Sequence, residues 1–151
     1  MDVINNTLNV GHNPHSGEYC FVGAHNSVSP TRLSQTVDLL SGNSNITTVM
    51  IDSGRLSIHF SFYYQTQRFF LQPYDLAEVT VEFHGKTNHL NIVSSGRIAC
   101  TLPYHEWCSY QKTARIPTGT RKISYTMFFY RENAGGSNIY ASIDDNFLSV
   151  T

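Results

Sequence analysis

The sequence predicts an all-β domain, a two-sheet antiparallel β-sandwich of the jelly-roll type. Aromatic residues make up 13% of the chain and charged residues only 14%, a composition that suits half-buried pleated strands better than helices. Apolar residues recur at every second position in several stretches, which is the period of a strand with one face in a core. About eight to ten such stretches at close spacing, without a long helical pattern or an internal repeat, are typical of a jelly roll.

Length and charge limit the classes of function. A chain of 151 residues is predicted to form one domain, 1–151, that removes roughly 70% of its unfolded surface from water. Because the formal net charge is −1 and no basic run is present, nucleic-acid binding is not expected. The longest apolar run is too short to cross a bilayer, so membrane insertion is not expected either.

The compartment stays open at this stage. The first residues contain neither the basic nor the apolar segment of a signal peptide. Two N-glycosylation patterns, Asn5-Asn6-Thr7 and Asn45-Ile46-Thr47, favour an extracellular location only slightly, because such short patterns also occur by chance.

The first strands are short. Apolar residues among Asn and Thr in 3–10 predict one edge strand, and a turn ends at Gly17. The continuous apolar run Tyr19–Val22 predicts a strand buried on both faces. After a loop at 23–31, the segment 33–40 fits either a strand or one face of a short helix.

The clearest alternation begins at Arg55, after turns at 41–45 and Ile51–Gly54. The predicted core positions of this strand are Leu56, Ile58, Phe60, Phe62 and Tyr64. Val79, Val81 and Phe83 alternate in the next strand, which a turn at 84–88 connects to Leu90 and Ile92 in a predicted hairpin. A further strand is predicted to run from Trp107 toward Ile116.

The C-terminal third is predicted to form the last two strands. The inward face of the first is Ile123, Tyr125, Met127 and Phe129. Small and turn-forming residues at 134–138 reverse the chain before 139–143 resumes a strand. The apolar phase slips near Asp144–Asn146, which predicts a β-bulge.

These C-terminal residues also carry a resemblance. Pro117–Arg121, the alternating strand, the Gly-Gly-Ser-Asn turn and Ile143–Val150 resemble the end of galactose-binding-like jelly rolls. That group includes carbohydrate-binding modules, discoidin-like domains and the sugar-binding domain of F-box proteins. Gly17–Gly23, Ser34–Leu39 and Ile51–Arg55 are similar to the group in the same order, so the resemblance covers most of the chain. It favours a strand at 33–40 and implies carbohydrate binding.

The resemblance also implies a calcium site. In many of these modules an acidic residue at the place of Asp144, together with backbone carbonyls near the N-terminus, holds a structural calcium ion. We therefore expect Asp144 first and Asp145 second as ligands, with Glu18 and its turn supplying the remainder. The alternative is an aspartate that accepts backbone N–H bonds inside the bulge, and the absence of an acidic run at the N-terminus leaves both open.

A sugar site needs an aromatic plate beside groups that hydrogen-bond hydroxyls. Two loops, Tyr64–Asp75 and Tyr104–Trp107, contain that mixture, and in the resembled fold such loops can gather at one end of the sandwich. The residues expected there are Tyr64, Arg68, Tyr74, His105, Trp107 and Asn138. The alternative for Trp107 is a place in the core, where a lone tryptophan of a small β-domain is found more often.

Other chemistry is poorly supported by the sequence. Cys100 and Cys108 are close enough for a disulfide, although plain buried thiols are the favoured alternative. His12 and His15 lie three residues apart, but no second His or Cys pair completes a zinc set. No Gly-x-Ser-x-Gly, P-loop or His-Glu-x-x-His motif is present, so we predict no enzyme.

The predicted function is therefore non-catalytic, lectin-like binding of a glycan or glycoprotein by loops at one end of the sandwich. The first alternative is a protein-interaction module, which the resemblance also allows. The second is a structural or assembly role, with self-association into a homo-oligomer. Fold alone does not decide among them.

Overall fold

In the computed structural model, residues 2–5, 13–24, 28–41, 45–103, 105–132 and 136–151 are described, the first four by their backbone. Within these ranges the chain forms nine strands and one short helix. The elements are β1 Asp2–Asn5, β2 Tyr19–Val22, β3 Thr31–Asp38, α1 Thr48–Asp52, β4 Ser57–Thr66, β5 Leu76–His84, β6 His89–Ser94, β7 Cys108–Arg115, β8 Lys122–Tyr130 and β9 Ala141–Val150.

The strands form two antiparallel sheets. The five-stranded sheet has the order β1-β2-β9-β4-β7, and the four-stranded sheet has the order β3-β8-β5-β6. From β2 to β9 the chain crosses between the sheets at every connection except the β5–β6 hairpin, which gives a jelly roll and confirms the predicted fold class. None of the helical residues within the described part of the chain makes a segment suited to spanning a bilayer.

The core lies between the sheets and follows the predicted alternation. Ile58, Phe60 and Phe62 of β4 are fully buried. They belong to one cluster with Val79, Val81 and Phe83 of β5 and with inward residues of β8 and β9. Burial of each such side chain contributes about 1.5–3 kcal/mol relative to exposure, so this cluster supplies most of the driving force that holds the sheets together.

The N-terminal predictions are partly confirmed. β2 forms, with Cys20 and Val22 buried on one face and Phe21 packed against the main core on the other, but Tyr19 is 53% exposed. Residues 33–38 belong to the strand β3 rather than to a helix, since they pair with β8, and residues 39–40 form the turn that follows. β3 is an edge strand, and its inward residues are therefore only partly covered.

The turn predicted at Ile51–Gly54 is confirmed only at Ser53 and Gly54, because Ile51 and Asp52 are the end of helix α1. The Thr47 side chain accepts a hydrogen bond from the Met50 N–H at 3.3 Å, and Gly54 ends the turn with φ of +68°. Ile51 is fully buried. A helix of five residues is too short to show a helical period in the sequence, and its capping residue and one buried side chain stabilise it.

Two β-bulges change the predicted pattern. In β9, Phe147 pairs with Ser61 and Asp144 with Tyr63, which leaves Asp145 and Asn146 opposite one residue of β4 and confirms the predicted bulge. In the β5–β6 hairpin, the register shifts between Phe83 and His84. The predicted hairpin forms, but because of that shift Leu90 and Val93 pack against the core and Ile92 is exposed.

The cysteines differ from the favoured expectation. A disulfide joins Cys100 to Cys108, with 5.7 Å between their Cα atoms. The favoured prediction, two unpaired buried thiols at these positions, is therefore wrong. Cys20 is a free thiol, and burial, together with the nearby Asp144 carboxylate, raises its pKa to about 12. A thiol with so high a pKa is a poor nucleophile at neutral pH.

Candidate functional site

The bulge in β9 holds an N-terminal segment against the five-stranded sheet. The Asp144 carboxylate is 7% exposed; its Oδ2 accepts the backbone N–H groups of His15 at 2.8 Å and Ser16 at 3.3 Å. Its Oδ1 accepts the N–H of Asp145 at 2.8 Å. Asp145, at φ of +46°, receives a hydrogen bond from the Ser16 hydroxyl. Residues 13–16 are thereby fixed across the outer face of this sheet.

This arrangement does not fit the calcium ion that the resemblance implies. All four carboxylate oxygens of Asp144 and Asp145 face N–H, O–H or imidazole groups, whereas calcium requires a set of oxygen ligands. Glu18, the third predicted ligand, is exposed. Within the described ranges no three His, Cys, Asp or Glu side chains form a group that could hold a metal. The calcium site stays a prediction. In the structure Asp144 has the alternative role, that of an aspartate that accepts backbone N–H bonds inside the bulge.

His15 joins this carboxylate to two aromatic rings. Its Nδ1 lies 2.6 Å from Asp145 Oδ2, and its ring stacks on Tyr63 with 3.6 Å between centroids. Trp107 meets the same imidazole edge-on at 6.0 Å. The hydrogen bonds from Ser16 and His15 lower the pKa of Asp145. Trp107 also packs against Cys20 and Val22, so its ring covers the sheet rather than standing free as a plate.

Part of the predicted loop site is brought together. The Arg68 guanidinium lies over the Tyr74 ring, 4.9 Å from its centroid, and the two line a cavity of about 260 Å³. The remaining lining residues are Gln65, Thr66, Gln67, Leu102 and Pro103. Because Arg68 covers one face of the Tyr74 ring, that face is not available to a sugar in this arrangement.

The other predicted site residues lie elsewhere. Tyr64 points inward, with its ring 5.9 Å from Phe62, and burial raises the pKa of its hydroxyl. His105 contacts Asn13 at 3.3 Å. Asn138 donates a hydrogen bond to the Tyr140 hydroxyl at 3.2 Å. The six residues therefore do not form one site, although Arg68 and Tyr74 do lie together.

The tip of the same loop carries three consecutive apolar side chains in water. Phe69, Phe70 and Leu71 are 74–81% exposed, and Phe70 has φ of +50°. The tip therefore does not pack against the domain. Such a tip is a candidate contact surface.

The outer face of the four-stranded sheet presents a different and more extensive set of polar groups. Its side chains alternate with the core residues of the middle strands β5 and β8. Hydrogen bonds connect Ser34 to Thr126 and Thr36 to Ser124, each at 2.8 Å, and Ser124 to His84 at 3.1 Å. A row of hydroxyl and imidazole groups thus runs across three strands.

One end of this face combines a carboxylate with aromatic rings. Glu78 accepts hydrogen bonds from the Ser94 hydroxyl at 2.5 Å and the Tyr130 hydroxyl at 2.7 Å. The Arg97 guanidinium lies 4.0 Å from the Tyr130 centroid, and Phe128 stacks beside Tyr130 at 6.1 Å. Burial and the hydrogen bond to Glu78 raise the pKa of Tyr130. The half-buried Phe128 ring provides an apolar surface at this end of the outer face.

The middle of the face contains a polar atom without a partner. Thr80 is only 5% exposed, and its Oγ1 makes no hydrogen bond with any described residue. An unpaired buried hydroxyl costs roughly 1–3 kcal/mol. The floor of this face therefore carries hydrogen-bonding capacity that the described part of the protein does not use.

The opposite end of the face opens into a cavity of about 730 Å³. Its walls come from the end of β3, the β5–β6 turn and the start of β8. The residues that line it are Thr36, Asp38, Leu40, His84, Gly85, Lys86, Thr87, Asn88, His89, Arg121, Lys122 and Ser124. We call it the turn cavity, because the β5–β6 turn forms one of its walls.

Sequence reasoning overlooked this face. The alternation in β5 and β8 identifies the core positions, and by itself it predicts no role for the residues of the opposite face. The available signal was the content of those outward positions in β5, Glu78, Thr80, Glu82 and His84. The sequence does not show which strands lie beside β5 in the sheet. It therefore does not show which residues complete this face.

Comparisons with known proteins agree on the fold. No protein-family model and no curated protein sequence matches the chain. Among solved structures, it is similar to "Family 16 Carbohydrate Binding Module-2" at a TM-score of 0.54 and 13% identity, over 89% of this chain and 79% of that one. It is also similar to the CBM22-2 xylan-binding domain from Paenibacillus barcinonensis Xyn10C, at 0.52 and 14%, over 99% and 86%.

A third similar structure belongs to a much larger protein. It is the enzymatically active domain of bacteriophage CBA120 tailspike protein 4, at a TM-score of 0.57 and 11% identity. The match covers 92% of this chain but only 16% of that chain. These comparisons show a β-sandwich jelly roll like that of carbohydrate-binding modules, as the sequence predicted.

Proposed function

We propose that this protein is a non-catalytic carbohydrate-binding module whose ligand lies on the outer face of the four-stranded sheet. The observation that carries the proposal is the continuous polar row on β3, β8 and β5, which ends in the turn cavity. Sugar hydroxyls donate and accept hydrogen bonds, and Glu82, Ser124 and His84 together offer both functions. A cavity of about 730 Å³ is of the size that ligand sites have.

The structural comparisons support the same class of function. Two of the similar structures are named as carbohydrate-binding modules, and one of those names includes xylan. The predicted loop site around Arg68 and Tyr74 is the alternative location. The outer face is favoured over it because the loop cavity is smaller, at about 260 Å³, and Arg68 occupies one face of its aromatic ring.

The test is a polysaccharide-binding panel on the purified protein, followed by titration calorimetry of the best ligand with three variants. Glu82→Gln removes a carboxylate from the proposed face, and we expect about tenfold weaker binding, the loss of one good hydrogen bond to a charged group. Glu106→Gln, on an exposed loop away from that face, is the matched control and should leave binding unchanged.

The third variant, Arg68→Gln with Tyr74→Ala, tests the alternative location. Loss of binding in this variant alone would move the site to the loop end. Absence of binding to every polysaccharide in the panel, at protein concentrations of about 1 mM, would overturn carbohydrate binding itself, because even weak sites are detected at that concentration.

A second candidate function is protein interaction, and the exposed Phe69–Leu71 tip favours it. Hot spots of protein interfaces are large side chains that become fully buried on binding. If the tip is such an anchor, Phe69→Ser with Phe70→Ser will abolish self-association in light scattering, or capture of a partner, without affecting polysaccharide binding. A partner complex that survives both substitutions would exclude the tip.

A further inference from the structure

We propose that this protein binds an extended peptide segment of a different protein, which adds as a strand beside the last residues of β9. The inference goes beyond the proposed function, because it concerns an edge of the five-stranded sheet rather than the outer face of the four-stranded sheet. Its starting observation is that β9 has a neighbour on one side along only part of its length.

Strand β2 pairs only with the start of β9. Its register partners there are residues 142–143, whereas on the other side β9 pairs with β4 as far as Val150. The cause is local, because Gly17, at φ of +64°, turns the chain before β2 and the bulge carboxylates hold residues 13–16 over the outer face. No other strand in the described part of the chain pairs with residues 146–150 on this side. We call this open position the strand gap.

The strand gap is bordered by backbone hydrogen-bonding groups. Ser57 and Thr151 exchange two hydrogen bonds, at 2.8 and 2.9 Å. Because bonded pairs alternate in an antiparallel ladder, the N–H and C=O groups of Leu148 and Val150 face away from β4, into the gap. None of the described residues forms a backbone hydrogen bond with them there. An extended backbone supplies donors and acceptors at the matching spacing, whereas a small apolar molecule would leave these groups unpaired.

An apolar cavity of about 460 Å³ lies beside the strand gap, between the two sheets. Val37 faces this cavity from β3, opposite the buried Ile123 of β8, and is still 42% exposed. A strand in the gap would remove such apolar surface from water, which is favourable. The residues that line the cavity are Gln35, Val37, Asp38, Leu39, Ser41, Ile46, Ile123, Tyr125, Asn146, Phe147, Leu148 and Val150.

The backbone edge and the cavity fit the same ligand. In antiparallel pairing, the residues opposite Leu148 and Val150 exchange hydrogen bonds with them and place their side chains on the same face of the sheet. Leu148 and Val150 pack against the core and line the cavity, so every second side chain of the peptide enters the cavity. The lining residues are mostly apolar. The ligand is therefore a peptide with apolar residues at alternate positions, over about five residues or about 17 Å.

The experiment selects peptides from a displayed library of random nine-residue sequences on the intact, immobilised chain. We expect enrichment of sequences with apolar residues at every second position. The most enriched peptide, made synthetically, should bind in fluorescence anisotropy. N-methylation of its apolar residues should weaken binding by about tenfold or more, because it removes the N–H donors that face β9 and keeps the side chains.

A variant of the cavity tests the location. Val37→Lys places a charge in the cavity and should weaken peptide binding by about tenfold or more, with polysaccharide affinity unchanged. Val49→Lys is the matched control, because Val49 is 79% exposed on α1 and does not line the cavity. Equal peptide affinity in both variants would overturn the site, as would a selection without the alternating pattern. A loss of binding only in Phe69→Ser with Phe70→Ser would move the peptide to the loop tip and also overturn it.

Two other occupants of the strand gap give different results. A second copy of this chain would appear in light scattering as a dimer that Val37→Lys dissociates. Residues 6–12 of the chain itself, which lie outside the described ranges, would be the occupant if the library yielded peptides only with the double variant Leu8→Ser, Val10→Ser. Either result would overturn the binding of a different protein and would leave the proposed carbohydrate binding unaffected.

Discussion

The two outer faces of the sandwich use similar side chains for different purposes. On the five-stranded sheet, the carboxylates of Asp144 and Asp145 and the ring of Tyr63 hold residues 13–16, and Trp107 packs beside them. On the four-stranded sheet, the described part of the chain places no such segment over β5 and β8, and the polar row faces outward. The difference shows that an outward carboxylate is a candidate ligand group only where no other part of the chain already satisfies it.

The largest effect is expected from Asp144→Ala. This change leaves the N–H groups of His15, Ser16 and Asp145 without their acceptor. We expect about 2–4 kcal/mol loss in the free energy of unfolding, since three hydrogen bonds to one charged group are lost and each contributes roughly 1 kcal/mol or more. Urea denaturation measures it. Asp38→Ala, at a half-buried carboxylate near the outer face of the four-stranded sheet, is the control and should cost less than about 1 kcal/mol. Equal losses in the two variants would show that the outer face of the five-stranded sheet, the covered face, depends on its carboxylate no more than the other face does.

The next effect concerns Trp107, whose ring covers Cys20 and Val22. We expect Trp107→Ala to lower the free energy of unfolding by about 2–3 kcal/mol, somewhat below the range for a fully buried aromatic residue, and to leave polysaccharide affinity unchanged. Phe69→Ala at the exposed loop tip is the control for loss of an aromatic ring and should not change stability. A stable Trp107 variant that has lost binding would instead make the covered face the sugar site.

The sequence was sufficient for the sandwich because the core positions are encoded locally. Ile58, Phe60 and Phe62 alternate within one strand, and no knowledge of the neighbouring strands is needed to recognise them. The bulge at Asp144 was also predictable, since the apolar phase slips at that position. Helix α1 was not, because its five residues are held by the Thr47 cap and the burial of Ile51 rather than by a repeating pattern.

The candidate site was less predictable because it depends on strand order. Lys86, Lys122 and Asp38 come from three distant parts of the chain, and only the pairing of β3 and β5 with β8 brings them to one cavity. Arg68 and Tyr74 were predicted to lie together and do so, since they are only six positions apart in one loop. For Trp107, residue type alone does not tell whether the aromatic ring faces the core or the solvent. Tyr64 was predicted both as a core position of β4 and as a loop-site residue, and the alternation gave the correct position, since Tyr64 packs against the core.

A smaller effect should distinguish the faces by pH. Hydrogen bonds from Ser16 and His15 lower the pKa of Asp145 below its ordinary 3.8, so its contribution to stability is complete above that pH and is lost as the pH falls through the lowered value. We expect Asp145→Asn to be less stable than the natural chain at pH 6, by no more than about 1 kcal/mol because the pair is partly exposed. The difference should shrink as the pH is lowered toward 2, because protonation of Asp145 removes the charge that the hydrogen bonds favour.

Thermal melting at the two pH values measures this change. Glu106→Asn, at an exposed loop position, is the control and should follow the natural chain at both. A difference between Asp145→Asn and the natural chain that persists unchanged at pH 2 would show that the aspartate acts by shape rather than by charge. In that case residues 13–16 are not held electrostatically.

The smallest expected effect is that of calcium. An ion that binds only the folded state must raise its stability by mass action, yet the oxygens of Asp144 and Asp145 already accept hydrogen bonds from residues 13–16. We therefore expect the same melting midpoint in excess calcium and in chelator. A midpoint several degrees higher in calcium, abolished by Asp144→Asn, would establish the structural ion that the resemblance implies. The carboxylates of the covered face would then hold a cation as well as residues 13–16, and the contrast between the two faces would be one of ion binding rather than of hydrogen bonding.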